Sequence, residues 1–331
     1  DDLNDFSCAH NAPSLASSKE GEQDDPAQGA PPVDGPVVET ALAPTKTPFY
    51  QAIHALRYQR QAIIRRIQEN TGRKLLCYVA GDAAPLDRDD PVGFVDLLHN
   101  VQAGQDVDLL LHTVGGDIDV AEKLITMLRT KVGAGRLRVV VPDFAKSAGT
   151  LIAIGADAIV MSDMSELGPI DPQIVLTDGN GNRIRHSVQS YIDAYKTHAA
   201  TLKKDPNDIA AAIMLGKLDP ATVKLFESVM TRARSLAETL LQQGMFKELG
   251  NWSQAASALI DTNRWQSHGQ MISWQDATDP KIGLTVDYLD PKSDLWTEYW
   301  QIYCLQRLAV GDQQKLFESD YASLLIESRL R

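Results

Sequence analysis

From residue 74 onward, short apolar runs alternate along the chain with longer segments whose apolar residues recur at helical spacing. The runs at 74–79, 107–112, 137–141 and 158–161 predict buried strands. The segments at 91–101, 118–132 and 147–156 predict helices. Because strands that alternate with helices pair in parallel through right-handed crossovers, the pattern predicts an α/β fold built on a parallel sheet.

The two ends of the chain follow other patterns. Residues 1–46 are rich in Asp, Ala, Pro, Gly and Ser, which predicts a disordered tail. A helical stripe starts at Thr47 and ends near Gly72, and residues 177–187 predict a turn-rich loop or hairpin. Further helices are expected at 187–204, 206–216, 219–244, 251–262 and 295–330. We therefore expect a tail (1–46), a main domain (47–290) and a helical C-terminal arm (291–331).

Composition restricts the classes of partner. With 44% hydrophobic residues the chain can bury a core, and its net charge of -12 argues against a nucleic-acid partner. Cys8, Cys77 and Cys304 show neither metal-binding spacing nor a disulfide framework, which fits a reducing, cytoplasmic compartment. Since no apolar run reaches the roughly 18 residues of a membrane span, membrane association is expected only through a segment that would precede Asp1.

Ser147 lies where a predicted strand ends and a predicted helix begins. The strand is stopped by Pro142, and the small residues Ala148 and Gly149 open the helix. Such a junction exposes a hydroxyl and directs backbone N–H groups at the group it attacks. Two interpretations follow, a catalytic nucleophile or a simple helix N-cap, which is a position that serine favours.

Gly115 and Gly116 form a second turn, after the preceding strand. In a parallel sheet the two strand ends would lie side by side, where ligand sites form. The N–H groups of Gly115 or Gly116 and of Ala148 would then provide an oxyanion hole, although a plain tight turn is the alternative. The chain has no dinucleotide fingerprint and no phosphate-binding loop, so we expect no cofactor and no metal.

These segments resemble the Clp-protease/crotonase superfamily, and within it the serine dehydrogenase proteinase family, which is related to signal peptide peptidase of the Ser-Lys type. The resemblance covers about residues 50–290 and is carried by 109–116, 139–142, 146–153, 155–161, 167–174, 264–269 and 282–284. It implies a Clp/crotonase-type spiral core. It also implies that Ser147 attacks a peptide carbonyl and that Gly115 of the glycine turn and Ala148 supply the oxyanion hole. Val114 departs from the proline common before the paired glycines.

The base that activates Ser147 is left open. The Clp-type histidine expected near residues 169–171 is absent, since the chain has Asp171 there. The Ser-Lys type implies a lysine such as Lys196, Lys203 or the adjacent Lys204, although these also suit a solvated helix face. His268 falls where Clp-type proteases carry the acid, so Ser147, His268 and Asp171 form a hypothetical triad with exchanged positions. Alternatively, His268 packs beside tryptophans and Asp171 caps a turn.

The sequence therefore predicts a serine endopeptidase that acts through an acyl-enzyme on Ser147. We expect a peptide or protein substrate bound by strand addition beside the glycine turn. A homo-oligomer is also expected, because the C-terminal arm carries an apolar stripe and because the resemblance implies one. Two alternatives are a non-catalytic scaffold or adaptor of the same fold and a crotonase-type acyl-CoA enzyme.

Overall fold

The described residues, 46–177 and 181–328 of a computed structural model, form one large sheet flanked by helices. In chain order the strands are Lys74–Ala80 (β1), Val107–His112 (β2), Leu137–Val140 (β3), Phe144–Ala145 (β4), Ala158–Met161 (β5), Glu166–Leu167 (β6), Gln173–Thr177 (β7), Arg183–Ser187 (β8), Val286–Tyr288 (β9), Gln314–Glu318 (β10) and Ser323–Glu327 (β11). The main sheet has the order β11-β10-β1-β2-β3-β5-β9, and its pairs from β1 to β9 are parallel. The predicted α/β fold is confirmed.

Helices connect the strands and cover both faces of the sheet. In chain order they are Pro48–Ile53 (α1), Ala55–Thr71 (α2), Asp90–Leu98 (α3), Ile118–Val132 (α4), Ala148–Ile154 (α5), Val188–Lys204 (α6), Ile209–Gly216 (α7), Pro220–Gln243 (α8), Trp252–Ile260 (α9), Trp274–Thr278 (α10) and Asp294–Arg307 (α11). The helix predicted from Thr47 to Gly72 is interrupted at His54, which separates α1 from α2. The predicted tail lies outside the described residues apart from Lys46.

Alternate residues of the central strands face two hydrophobic layers. Leu109 and Leu111 of β2 pack with α3, α4, α5 and α8 on one face. Leu110 packs with α2 and α11 on the other face. A strand that is buried on both faces reads as a continuous apolar run, which explains why the sequence shows no alternation there.

The C-terminal segment is not the helical arm that the sequence predicted. Its helix, α11, ends at Arg307, and the chain returns as the strands β10 and β11. β10 pairs antiparallel with β1, and β11 pairs antiparallel with β10. The prediction was wrong because Gly311 and Asp312 break the pattern, and the apolar residues beyond them complete the sheet rather than extend a helix.

Phe317 shows how deeply β10 enters the core. Its ring is fully buried and lies 5.0 Å from the ring of Tyr78 and 5.9 Å from that of Phe94. We expect F317A to lower the free energy of unfolding by about 3–5 kcal/mol, because it removes a large core side chain. Chemical denaturation measures this value. L308A, at a residue 86% exposed at the end of α11, is the control and should change it by less than about 0.5 kcal/mol. Equal effects would contradict the burial of β10.

Smaller strand pairs lie beside the main sheet. β4 and β6 pair in parallel, and isolated bridges extend this pair to Thr113 on one side and Ile272 on the other. β7 and β8 form an antiparallel hairpin in the region predicted as a loop or hairpin, and its residues 178–180 lie outside the described part. β4 leads directly into the turn that carries Ser147.

Candidate active site

Ser147 has a strained backbone. Its φ of 52° makes it the one non-glycine residue with positive φ among the described residues. It occupies the N-cap position of α5, but its side chain makes no capping hydrogen bond. Conformations of this kind cost on the order of 1–3 kcal/mol and concentrate at functional sites. The structure therefore provides no support for the N-cap interpretation of this serine.

Neighbouring groups hold the turn in place. The N–H of Lys146 donates to the carbonyl of Thr113 at 3.0 Å, which ties the turn to the end of β2. The N–H of Gly149 donates to the carbonyl of Lys146 at 2.7 Å. The Thr150 hydroxyl lies 2.8 Å from the carbonyl of Ala145 and accepts from the N–H of Gly168 at 3.0 Å. These bonds keep Ser147 in its strained conformation.

The glycine turn lies directly against the serine. A Cβ atom on Gly115, whose φ is +93°, would come within 2.6 Å of the Lys146 carbonyl oxygen and 2.8 Å of the Ser147 Cβ. It would also lie 3.1 Å from the backbone nitrogen of Ala148. Only glycine permits this approach. The structure thus brings together the two strand ends that the sequence singled out.

Two backbone donors near Ser147 are available to an anion. In the described part of the chain, no acceptor is hydrogen-bonded to the N–H of Ala148 or of Gly116. The N–H of Gly115 instead donates to the hydroxyl of Thr113 at 3.1 Å. Of the three donors named from the sequence, Gly116 and Ala148 are therefore the two that could stabilise an oxyanion here.

Asp171 and His268 form a second cluster. The Asp171 carboxylate is buried and accepts from the Ser187 hydroxyl at 2.7 Å and from the Gln173 amide at 2.9 Å. The Nδ1 atom of His268 lies 3.7 Å from Asp171 Oδ2 and is shielded from solvent. Burial raises the pKa of Asp171, but the nearby His268 ring and the hydrogen bonds from Ser187 and Gln173 outweigh it and hold this pKa below its ordinary value. Both side chains line an open cleft of about 520 Å³.

Lys146 connects the serine turn with the His268 cluster. Its ammonium pairs with Glu166 and lies 3.2 Å from the carbonyl of Leu167 and 3.4 Å from that of Gly269, the residue after His268. No hydrogen bond joins His268 to the Ser147 hydroxyl among the described residues. The structure therefore places the two clusters in one region without a hydrogen bond between them.

The candidate lysines lie elsewhere on the surface. Lys196, Lys203 and Lys204 are exposed on α6. Lys196 lines a separate cleft with Lys224 and Glu227 of α8. In the described ranges no hydrogen bond or ion pair links these lysines with Ser147.

The described residues give two further findings about the surroundings. They contain no group of three or more His, Cys, Asp or Glu side chains that could hold a metal ion. None of their helices combines the length and the apolar character that crossing a bilayer requires.

Leu86, whose backbone is hydrogen-bonded to the glycine turn, was not predicted from the sequence. Its N–H donates to the carbonyl of Gly115 at 2.7 Å, and its carbonyl accepts from the N–H of Asp117 at 3.1 Å. Leu86 acts through its backbone, so its side chain gave no signal. Lys315 was also missed, although a lysine beside Leu316 and Phe317 in an apolar strand is a detectable anomaly.

Curated relatives cover only parts of the chain. One uncharacterized protein of Methanocaldococcus jannaschii is 29% identical over 181 residues, which is 55% of this chain and 53% of that protein. Another from the same organism is 40% identical over 68 residues, which is 20% of this chain and 23% of that protein. The chain thus spans about half the length of the first relative and less than a quarter of the second.

Solved structures of two different mutants of the 1510-N membrane-bound stomatin-specific protease are also similar. One has a TM-score of 0.37 at 16% identity and covers 65% of this chain and 80% of that chain. The other, in complex with a substrate peptide, has a TM-score of 0.36 at 15% identity and covers 65% and 75%. At TM-scores below 0.5, neither bears on the fold of this chain.

A family model matches the region around the serine. It describes the ClpP-like SDH-type serine proteinases and matches residues 88–208. This segment contains the glycine turn, Ser147 and Asp171, whereas His268 lies outside it. The match agrees with the resemblance seen in the sequence. Through residues 88–208, the chain is therefore similar to the ClpP-like SDH-type serine proteinases.

Proposed function

We propose that the chain is a serine peptidase that cleaves peptide bonds through an acyl-enzyme on Ser147. The observation that carries this proposal is the strained φ of Ser147, whose hydroxyl caps nothing and whose Cβ lies against Gly115. The match of residues 88–208 to the ClpP-like SDH-type serine proteinases supports the same chemistry. A crotonase-type acyl-CoA enzyme would need the oxyanion donors but not a strained serine.

In the proposed reaction the Ser147 oxygen attacks the substrate carbonyl carbon while a base takes the hydroxyl proton. The carbonyl oxygen becomes an oxyanion, which the N–H groups of Gly116 and Ala148 would stabilise. Collapse breaks the C–N bond, and the protonated base returns its proton to the leaving amine. Water then attacks the ester carbonyl by the same route and releases the acid product.

We propose His268 as the base and Asp171 as the group that orients it. Asp171 is buried and stays ionised, so it can hold a proton on Nδ1 and leave Nε2 free to accept one. The proposal requires Nε2 to come within about 3 Å of the Ser147 hydroxyl in the substrate complex, a contact that often tightens only when substrate binds.

H268A is expected to slow acylation of Ser147 by about 100-fold or more, because the hydroxyl loses its proton acceptor. The rate of labelling by a fluorophosphonate measures this effect. H186A, at an exposed histidine of β8, and K196M, at the alternative base, are the controls and should label at the wild-type rate. If K196M is slow while H268A labels normally, the base is the lysine and the proposed triad is wrong.

The substrate would add as a strand beside the glycine turn. Leu86 occupies one edge of this turn through the carbonyl of Gly115 and the N–H of Asp117. The N–H of Gly116 has no acceptor among the described residues and is available at the other edge. An extended peptide there would place a backbone carbonyl near Ser147, which favours peptide or protein substrates.

We propose that the chain self-associates through other residues than those that the sequence suggested. Trp296, Tyr299 and Tyr303 of α11 are buried against the chain's own core, so that stripe does not support an interface. Exposed apolar side chains instead lie on α7 and at the start of α8, namely Ile209, Ile213, Met214 and Leu225. A homo-oligomer that covers these side chains, a cytoplasmic location and membrane association stay predictions.

A non-catalytic scaffold is the second candidate, and one observation favours it. In the described ranges the Ser147 hydroxyl has no hydrogen-bond partner, so no base is yet engaged. Labelling with a fluorescent fluorophosphonate separates the two candidates. A peptidase takes up one adduct per chain, and heat-denatured protein takes up none. An unlabelled native protein would contradict the peptidase and favour the scaffold.

A further inference from the structure

A hydrogen bond from Leu86 orients the Gly115–Gly116 peptide group, which carries the free N–H of Gly116. The Leu86 N–H donates to the carbonyl of Gly115, which belongs to the same planar peptide group as the N–H of Gly116. Because the carbonyl and N–H of a trans peptide point in opposite directions, this bond aims the Gly116 N–H away from Leu86. A Cβ on Gly116 would lie only 2.5 Å from the nitrogen and oxygen of Leu86.

Leu86 is itself held by a buried carboxylate. The N–H of Asp87, in the same peptide group as the Leu86 carbonyl, donates to Asp90 Oδ2 at 2.9 Å. Asp90 is 1% exposed and also accepts from the Tyr78 hydroxyl at 3.3 Å. The orientation of the Leu86 carbonyl, and with it the contact to Asp117, therefore depends on Asp90.

Lys315 of β10 neutralises this cluster. Its Nζ lies 2.8 Å from Asp90 Oδ1 and 2.8 Å from Asp87 Oδ2, and its side chain is 1% exposed. Burying a carboxylate without a cation is strongly unfavourable, so removal of the ammonium would force the segment to rearrange or Asp90 to become neutral. Burial already raises the pKa of Asp90 to about 6, against the lowering effect of Lys315. A neutral carboxyl accepts the Asp87 N–H less strongly.

We propose that Lys315 is a positioning residue for the glycine turn, whose Gly116 N–H would stabilise the oxyanion. Lys315 pairs with Asp90, Asp90 orients the Leu86–Asp87 peptide group, and Leu86 orients the Gly115–Gly116 peptide group. The inference rests on the proposed peptidase function. It gives the C-terminal hairpin a role in the reaction, although the hairpin does not contact Ser147 among the described residues.

A matched pair of variants separates positioning from stability. K315M leaves Asp90 and Asp87 without their cation. R60M leaves Glu318 of the same strand without its cation, because Arg60 pairs with Glu318 at 2.8 and 2.9 Å. Both pairs are buried, but Arg60 belongs to α2, and among the described residues its side-chain hydrogen bonds go to Glu318 and not to segment 86–90. Both variants should therefore lower Tm, and only K315M should disturb the turn.

The test compares fluorophosphonate labelling rates, and kcat and KM for a peptide, at a temperature where each variant is folded. We expect K315M to slow labelling and lower kcat by about 10- to 100-fold, as expected for displaced catalytic groups. KM should stay within about twofold, because the loss concerns the transition state. R60M should label within about twofold of wild type. Equal rates in K315M and R60M would overturn the inference, whereas an unlabelled wild type would overturn the peptidase instead.

A milder variant keeps the test decisive if K315M does not fold. D90N leaves Lys315 paired with Asp87 at 2.8 Å and keeps an oxygen acceptor at residue 90 for the N–H of Asp87. It should fold and slow labelling by about threefold or more, because a neutral amide oxygen accepts the Asp87 N–H less strongly than a carboxylate does. A wild-type labelling rate in D90N would overturn the inference.

Discussion

S147A is expected to reduce peptide hydrolysis by at least about 10⁴-fold, because no other group can form the acyl-enzyme. The protein should keep its stability within about 0.5 kcal/mol, since the hydroxyl makes no capping bond that could be lost. Alanine at this position carries the same positive-φ strain as serine. Steady-state hydrolysis and thermal unfolding measure the two quantities on the same preparation.

Ser273 provides the control for the N-cap interpretation. Its hydroxyl accepts the N–H of Asp276 and forms a capping box at the start of α10. S273A should lower stability by about 1 kcal/mol and leave hydrolysis unchanged. If S147A behaved like S273A, with a loss of stability and normal hydrolysis, Ser147 would be a cap and the peptidase proposal would fail.

G115A is expected to slow acylation by about 100-fold or more, comparable to removing an oxyanion-hole donor. Its Cβ would lie 2.6 Å from the Lys146 carbonyl oxygen and 2.8 Å from Ser147 Cβ, so the serine turn or the glycine turn has to move. The positive φ adds a strain of about 1–2 kcal/mol for a residue with a side chain. Fluorophosphonate labelling rates and chemical denaturation report the two effects separately.

Gly104 is the control that separates backbone strain from steric crowding in G115A. Its φ of +81° imposes a similar backbone penalty, but a Cβ there would have no heavy atom within 4 Å. G104A should therefore lose about 1–2 kcal/mol of stability and label at the wild-type rate. Normal labelling in G115A would contradict the close contact between the glycine turn and Ser147.

The sequence predicted the parallel strands and their helices well, because both faces of β1, β2 and β3 are largely buried and give apolar runs, which Asp108 interrupts in β2 and Arg138 in β3. It did not predict β10, whose Lys315 is buried inside an apolar strand by a pair of carboxylates more than 200 residues away in the chain. Neither β4 nor β6 was predicted either, because each has two residues and depends on its neighbour for pairing.

The candidate site was likewise predicted only in part from the sequence. Ser147, Gly115 and Ala148 were proposed from the sequence because glycine and small residues at strand ends are a local signal. The positive φ of Ser147 and the contact of Leu86 with Gly115 are consequences of tertiary packing, so no local pattern shows them. His268 and Asp171 were paired as a hypothesis, and the structure places them 3.7 Å apart without showing which group contacts the Ser147 hydroxyl.

Peptide mapping of the fluorophosphonate adduct by tandem mass spectrometry tests the central proposal most directly. The native protein should carry one adduct per chain, located on Ser147, and S147A should carry none. An adduct on another serine, or a native protein that stays unmodified under conditions that label an active serine protease, would contradict the assignment of Ser147 as the nucleophile.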